Sequence, residues 1–157
     1  MAGALALMAG AGGRDGDAGD GDIRAVLFAC SLNAIRSPIA AAITKARRPD
    51  LYVASAGVAR GYPDGFANAV AHEAGLSLDD HDPHTITDLG DLSFDLVVTL
   101  SDEARNAVER LARTNDLPHE HWSLPDPSDA LGSREQRLSA YRAIRDELTE
   151  RVAKRFG

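Results

Sequence analysis

The 157-residue sequence contains one cysteine, so it can form no intramolecular disulfide. It also lacks any apolar run near the roughly 20 residues that a membrane-spanning helix needs. Basic residues are outnumbered, with 17 Lys and Arg against 24 Asp and Glu and a formal net charge of −7. Because nucleic-acid-binding proteins need a basic face to neutralise phosphates, this balance argues against a nucleic-acid partner. We therefore expect neither a disulfide scaffold nor a nucleic-acid-binding or membrane protein.

The remaining composition is typical of one globular domain, since 44% of the residues are hydrophobic and 26% are charged. Residues 1–22 differ from the rest, because they are rich in Gly and Asp and have no basic segment before their short apolar patch. We expect a disordered leader over 1–22, one folded domain over 23–157 and a cytoplasmic location.

Strand-like and helix-like segments alternate after the leader. Short apolar runs predict strands, and segments with helical spacing follow them. The predicted strands are 23–29, 51–54, 94–100 and 119–124, and the predicted helices are 39–46, 65–74, 102–113 and 133–156. This order predicts a single three-layer α/β domain, with a four-stranded parallel sheet and helices on both of its faces.

A candidate oxyanion-binding segment follows the first strand. Cys30 and Arg36 flank five residues, and Ser37-Pro38 opens the next helix. A loop of this kind can present backbone N–H groups to a tetrahedral anion, and the fork of an arginine side chain can bind two of its oxygens. The positive surroundings would favour a thiolate nucleophile at Cys30. The predicted phosphate-binding residues are Ser31, Leu32, Asn33, Ala34, Ile35, Arg36 and Ser37.

The alternative for Cys30 is an inert thiol buried at the end of a strand. A Cys and an Arg at this spacing are a weak signal by themselves. The apolar strand before Cys30 and the helix start after Arg36 favour the nucleophile.

A proton donor for the leaving group is expected near Asp126, which lies between Pro125 and Pro127. Two prolines would hold the acid on a stiff loop, which suits a group aimed at a leaving oxygen. The alternative is an ordinary Asp-Pro turn, and Asp129 is a nearby competitor for the role.

These segments resemble the low-molecular-weight protein tyrosine phosphatases and the related arsenate reductases. The resemblance rests on residues 26–30, Asn33, residues 36–38, residues 55–57 and Asp126-Pro127 before a final helix. It implies that Cys30 is the nucleophile, that Arg36 binds phosphate, that Asn33 and Ser37 support the loop, and that Asp126 is the general acid. It also implies a phosphocysteine intermediate, with no metal and no organic cofactor.

The sequence departs from the family pattern at three places. Leu32 stands where the family usually has Gly, and a positive φ there would strain the loop. Ser128 and Asp129 replace the aromatic residues that follow the Asp-Pro pair in tyrosine phosphatases. No second cysteine is present for a reductase relay, and residues 100–102 are Leu-Ser-Asp where one would be expected.

Three functions remain open. They are a phosphomonoester hydrolase of the protein phosphotyrosine type, an arsenate reductase using an external thiol such as glutathione or mycothiol, and a non-catalytic oxyanion-binding module. The expected partner is a phosphorylated protein or a small phosphomonoester, and the expected state is a monomer or weak dimer.

The histidines show no zinc-site spacing, and His81 and His84 are predicted to lie in a solvated loop.

Overall fold

The computed structural model of the protein describes residues 23–157, so the predicted leader over 1–22 lies outside the described residues. Strands and helices alternate along the chain. The strands are β1 (Ala25–Cys30), β2 (Tyr52–Gly57), β3 (Leu96–Thr99) and β4 (His119–His121). The helices are α1 (Arg36–Arg47), α2 (Gly65–Glu73), α3 (Ile86–Leu89), α4 (Asp102–Ala112) and α5 (Arg134–Phe156), with a short 3-10 helix at Pro127–Asp129.

The four strands form one parallel sheet in the order β2-β1-β3-β4. The central strand β1 pairs on both sides, so that Phe28 lies between Ser55 of β2 and Val98 of β3. Every residue of β1 is buried. A strand that is covered on both faces needs an uninterrupted apolar run, which is what its sequence provides. The predicted α/β fold and parallel sheet are confirmed.

Two hydrophobic cores lie on opposite faces of the sheet, because alternate side chains of β1 point to opposite sides. One core contains Val26 and Phe28 together with residues of α1, α2 and α5. In it the Phe28 ring lies 5.9 Å from the Trp122 ring and 6.4 Å from the Phe156 ring, between centroids. The other core contains Leu27 together with residues of α3 and α4. The apolar stripe of α5 is buried in the first core: Leu138, Tyr141, Ile144, Leu148 and Val152.

Several helices and strands begin or end at residues other than those predicted. Helix α1 begins at Arg36, three residues before the predicted start, and β2 continues to Gly57 instead of ending at residue 54. β2 continues because Ser55, Ala56 and Gly57 pair in register with the last three residues of β1. Sheet pairing therefore overrides the turn signal of a Ser-Ala-Gly sequence.

Helix α3 was not predicted from the apolar pattern, since it has only four residues. Its signal is a capping box in which the Thr85 side chain accepts from the Asp88 N–H and the Asp88 side chain accepts from the Thr85 N–H. Strand β4 is shorter than predicted and ends at His121.

Among the helices of residues 23–157, none is both long and apolar enough to cross a membrane.

The strand order places one loop at a reversal of direction in the sheet. From β1 the chain crosses to β2 on one side, and β3 then lies on the other side of β1. In open parallel sheets, ligands bind at the carboxyl ends of the strands at such a reversal. The loop of residues 31–35 occupies this position.

The end of β2 lies against this loop at Gly57. A Cβ atom at residue 57 would lie 2.5 Å from the Ala59 carbonyl oxygen and 2.8 Å from the backbone of Leu32 and Asn33. The contacted atoms belong to the backbone and cannot rotate away. Glycine at this position is therefore required for the close approach of the loop to β2.

The Gly57→Ala variant is expected to lose about 1–3 kcal/mol of unfolding free energy, because overpacking against backbone forces the loop to shift. Urea denaturation measures this loss. Gly65→Ala is the matched control, since a Cβ there meets nothing within 4 Å. It should change stability by about 1 kcal/mol or less. Equal stability of the two variants would contradict the close approach at Gly57.

Candidate active site

The loop of residues 31–35 turns its first carbonyl groups toward the segment that follows β2. The carbonyl oxygens of Cys30, Ser31 and Leu32 accept hydrogen bonds of 3.0, 2.9 and 2.9 Å from the N–H groups of Val58, Ala59 and Gly61. By contrast, no backbone N–H group from Ser31 to Ser37 donates a hydrogen bond to another group of residues 23–157. A run of unpaired N–H groups is rare in folded proteins and suits an anion.

Helix α1 extends this run of donors. Its N-cap residue, Ile35, has no side chain that can accept a hydrogen bond, so the N–H groups of the first turn are left uncapped. The first turn also contains no acidic residue. An uncapped helix N-terminus carries partial positive charge, which adds to the attraction of the loop for an oxyanion.

Asn33 fixes the shape of the loop. Its φ of 56° is the only positive value among the non-glycine residues of the described chain. The Asn33 side-chain amide donates to Ser37 Oγ at 2.8 Å and to Ser55 Oγ at 3.0 Å, and its Oδ1 accepts from the His84 N–H at 3.0 Å. Asparagine tolerates the left-handed conformation better than most residues, and these bonds compensate for burying its amide.

Leu32 is not strained by a positive φ, because the left-handed position is one residue further along the chain. Leu32 has no positive φ. Its side chain is 48% exposed and lies against Gly61, where an added Cβ would come within 2.9 Å of the Leu32 Cβ. Leu32 thus forms part of the rim of the site without distorting the loop.

Cys30 lies at the last position of β1 and is 2% exposed. Its Sγ atom is 3.0 Å from Ser37 Oγ. Since Ser37 Oγ accepts a hydrogen bond from Asn33, its own hydrogen is available to donate to a thiolate at Cys30. The loop support that the sequence suggested for Asn33 and Ser37 is thus a continuous chain of contacts that ends at the cysteine.

Arg36 is the first residue of α1, and its side chain is 9% exposed. Its Nη1 donates to the Leu124 carbonyl at 3.0 Å, and its Nη2 lies 3.9 Å from Asp126 Oδ2. The second distance allows electrostatic attraction but no hydrogen bond. Part of the guanidinium fork is therefore left without a hydrogen bond within residues 23–157, beside the donors of the loop.

Asp126 is held in one orientation by the turn that follows it. Its Oδ1 accepts from the Ser128 N–H at 2.9 Å and from Ser128 Oγ at 2.7 Å. The predicted Asp-Pro turn is thus present, because Asp126 caps the 3-10 helix at Pro127–Asp129. Oδ2 accepts no hydrogen bond from another described residue and is the oxygen nearer to Arg36. Turn formation and a role in proton transfer are compatible, since they use different oxygens.

A cleft of about 520 Å³ brings several of these residues together. Its lining residues are Ser31, Leu32, Arg36, Ser101, Asp102, Glu103, Ser123, Leu124, Asp126 and Asp129. Of the predicted phosphate-binding residues, Ser31, Leu32 and Arg36 line the cleft. Asn33, Ile35 and Ser37 are buried, and Ala34 is partly buried, so these residues can serve an anion through backbone groups or by supporting the loop.

His81 contributes a contact that the sequence analysis missed. Its Nε2 donates to the Asn33 carbonyl oxygen at 2.7 Å, so His81 supports the loop and is not a fully solvated residue as predicted. Burial lowers the pKa of His81 below its usual value, although the bond to Asn33 partly opposes this shift. This shift favours the neutral form of the imidazole. The Asp/Pro-rich sequence around His81 indicated a solvated loop. The sequence did not predict this contact, because the partner residue is 48 positions away.

Two aromatic residues are buried in the first core. Trp122 is 6% exposed and lies in the first core, and its indole N–H donates to Glu120. Tyr141 is 1% exposed, and its hydroxyl donates to Asp64 Oδ2 at 2.9 Å. Burial and the neighbouring Asp64 raise the pKa of Tyr141 above its usual value. Within residues 23–157, no group of three or more His, Cys, Asp and Glu side chains is arranged to hold a metal ion.

Comparison with known proteins identifies the family of the chain. The sequence profile of the low molecular weight phosphotyrosine protein phosphatase family matches residues 25–156. The chain is 31% identical over 138 residues to an arsenate reductase of Bacillus licheniformis, an alignment that covers 85% of this chain and 94% of the relative.

Solved structures show the same fold. The tyrosine phosphatase AmsI of Erwinia amylovora has a TM-score of 0.71 at 24% identity, with 85% of this chain and 91% of that chain covered. A low molecular weight protein tyrosine phosphatase from T. tengcongensis has a TM-score of 0.69 at 25% identity, with coverages of 83% and 96%. With the family profile matching nearly the whole described chain, the protein belongs to the low molecular weight phosphotyrosine protein phosphatase family.

Proposed function

We propose that this protein hydrolyses phosphomonoesters, of the protein phosphotyrosine type, through a phosphocysteine at Cys30. The observation that carries the proposal is the run of unpaired N–H groups from Ser31 to Ser37 beside the spare donors of Arg36. Both sets of donors can bind the equatorial oxygens of a phosphoryl group and stabilise the charge that develops on them during transfer.

In the first step the Cys30 thiolate attacks phosphorus, the P–S bond forms and the bond between phosphorus and the ester oxygen breaks. Asp126 gives a proton to the departing oxygen, using the Oδ2 that no described residue binds. In the second step a water attacks phosphorus and gives its proton to the Asp126 carboxylate. The P–S bond breaks, and inorganic phosphate leaves. The Ser37 hydroxyl, 3.0 Å from Sγ, stabilises the thiolate before attack and again as it departs.

A passive anion-binding module is disfavoured. Strain at Leu32 would favour such a module, but the left-handed position is at Asn33 instead. Binding alone also requires neither a buried thiol beside a hydroxyl donor nor a carboxylate near the arginine. Cys30, Arg36 and Asp126 together are better explained by turnover.

Arsenate reduction is the second candidate, because the curated relative is an arsenate reductase that aligns over nearly its full length. The same donors would bind arsenate, which is also a tetrahedral oxyanion. Since the sequence has one cysteine, the reduction would need an external thiol such as glutathione or mycothiol. Cys30 and one external thiol would supply the two electrons that convert As(V) to As(III), and a second external thiol would reduce the resulting mixed disulfide.

We predict that Cys30→Ser abolishes the hydrolysis of aryl phosphates, because the hydroxyl is a far weaker nucleophile than the thiolate. The variant should still bind inorganic phosphate, since the N–H groups and Arg36 are unchanged. Steady-state hydrolysis of 4-nitrophenyl phosphate at pH 5 to 7 with EDTA, and calorimetric titration with phosphate, measure the two properties. Substantial residual turnover in Cys30→Ser would reject Cys30 as the nucleophile.

Asp126→Asn is expected to slow esters with poor leaving groups more than esters with good ones. General acid catalysis typically contributes about 10²–10⁴-fold. Phenyl phosphate should therefore lose on the order of 10²-fold, whereas 4-nitrophenyl phosphate, whose leaving group needs little protonation, should lose much less. Asp129→Asn is the discriminating variant, because Asp129 lines the same cleft. If Asp129→Asn shows the leaving-group dependence and Asp126→Asn does not, Asp129 is the general acid.

The reductase candidate predicts that arsenate is consumed only when a small thiol is added, with two thiols oxidised to a disulfide for each arsenite released. Arsenite release measured with and without glutathione or mycothiol tests this stoichiometry, and Cys30→Ser is the control. Thiol-dependent arsenite release by a protein that does not hydrolyse aryl phosphates would replace the phosphatase proposal with the reductase.

A further inference from the structure

The charges of the cleft are arranged unevenly for a site that binds a dianion. Four carboxylates line it, from Asp102, Glu103, Asp126 and Asp129, whereas the one cationic side chain of the lining is Arg36. Arg36 is buried at the floor, while Asp102, Glu103 and Asp129 are exposed at the rim. A phosphate that enters the cleft must therefore pass a negatively charged rim before it reaches the positive floor.

The floor is sufficient for the phosphoryl group. The Arg36 side chain is more than nine-tenths buried, and its Nη2 makes no hydrogen bond within residues 23–157 although it lies in the cleft. The unpaired N–H groups from Ser31 to Ser37 lie beside it. Because these donors can bind the anion, the rim carboxylates are not needed to hold the phosphate. Their negative charge repels the phosphate and weakens its binding.

The rim keeps most of its negative charge. Asp102 lies 3.5 Å from both Arg105 and His121, but its side chain is 77% exposed, which limits this pairing. Glu103 accepts a hydrogen bond of 2.7 Å from the neutral hydroxyl of Ser31. Among residues 23–157, neither Glu103 nor Asp129 forms an ion pair. A ligand with positive charge next to its phosphate would be attracted both by the rim carboxylates and by the donors at the floor.

We propose that this cleft selects phosphoproteins in which basic residues flank the phosphorylated residue, and that Asp102, Glu103 and Asp129 determine this preference. The proposal rests on the proposed hydrolysis of phosphomonoesters and adds its substrate class. A guanidinium or ammonium group next to the phosphate offsets the repulsion by the rim, which free inorganic oxyanions and acidic phosphopeptides cannot do. Complementary charges of this kind act mainly on specificity and on the rate of association.

The test compares two phosphotyrosine peptides of equal length, one with Arg and one with Glu at the positions on either side of the phosphotyrosine. The full chain at low ionic strength should show a kcat/KM at least about tenfold higher for the Arg peptide. The ratio should fall toward about twofold at 0.5 M salt, where screening shortens the range of charge interactions to a few ångströms. The Asp102→Asn/Glu103→Gln/Asp129→Asn variant should show a ratio within about twofold at both salt concentrations.

A matched control removes the same amount of charge elsewhere. Glu109→Gln/Asp116→Asn/Glu150→Gln changes three exposed carboxylates that do not line the cleft, and it should keep the wild-type ratio. Equal kcat/KM values for the two peptides in the wild type would overturn the proposal. So would a ratio that persists in the rim variant, or one that disappears equally in the control.

Binding to Cys30→Ser separates this proposal from the hydrolysis on which it rests. If no peptide is hydrolysed by the wild type, the ratio of dissociation constants of the two peptides still reports the selection by the rim. A ratio near one in this binding assay rejects the proposed selection by the rim carboxylates. A tenfold ratio without turnover rejects only the proposed hydrolysis. Asp129→Asn alone, which changes one exposed side chain, provides a partial reduction of the ratio if the triple variant does not fold.

Discussion

Asn33 connects the loop of residues 31–35 to three separate parts of the chain, and the geometry of the site depends on it. Its amide binds Ser37 in the first turn of α1 and Ser55 in β2, while its Oδ1 and carbonyl oxygen accept from the segment containing His81 and His84. Asn33 is fully buried. These bonds stabilise the left-handed conformation, and the neighbouring N–H groups from Ser31 to Ser37 make no hydrogen bond within residues 23–157.

The sheet supplies the rigid support for this arrangement. β1 is buried on both faces and paired on both edges, so its last residue, Cys30, has little freedom to move. Gly57 allows the loop to approach the end of β2 closely. The site thus combines a fixed cysteine thiol and a positive floor with a rim that carries the opposite charge. The floor is built from backbone donors and the single guanidinium of Arg36, whereas the rim depends on several exposed side chains.

The sequence predicted the order of the strands and helices better than the residues at which they begin and end. Apolar runs and helix caps are local features, so the order of strands and helices followed from them. The end of β2 at Gly57 did not, because it depends on pairing with β1. Helix α3 was missed although Thr85 and Asp88 form a capping box, since four residues give no hydrophobic periodicity. The sequence left the backbone conformation of Leu32 open, because a family pattern at one position does not fix which residue of a loop turns left-handed.

The sequence by itself determined the α/β fold, the spacing of Cys30 and Arg36, and the placement of both between the first strand and the first helix. These features depend on residues that are close in the chain. The tertiary structure decided how the loop is held and what faces it: Asn33 meets Ser55 across 22 positions, His81 across 48 and His84 across 51, and Arg36 meets the Leu124 carbonyl across 88. Such contacts are set by the packing of strands and helices. No local pattern encodes them, so the loop supports and the acidic rim became visible only in three dimensions.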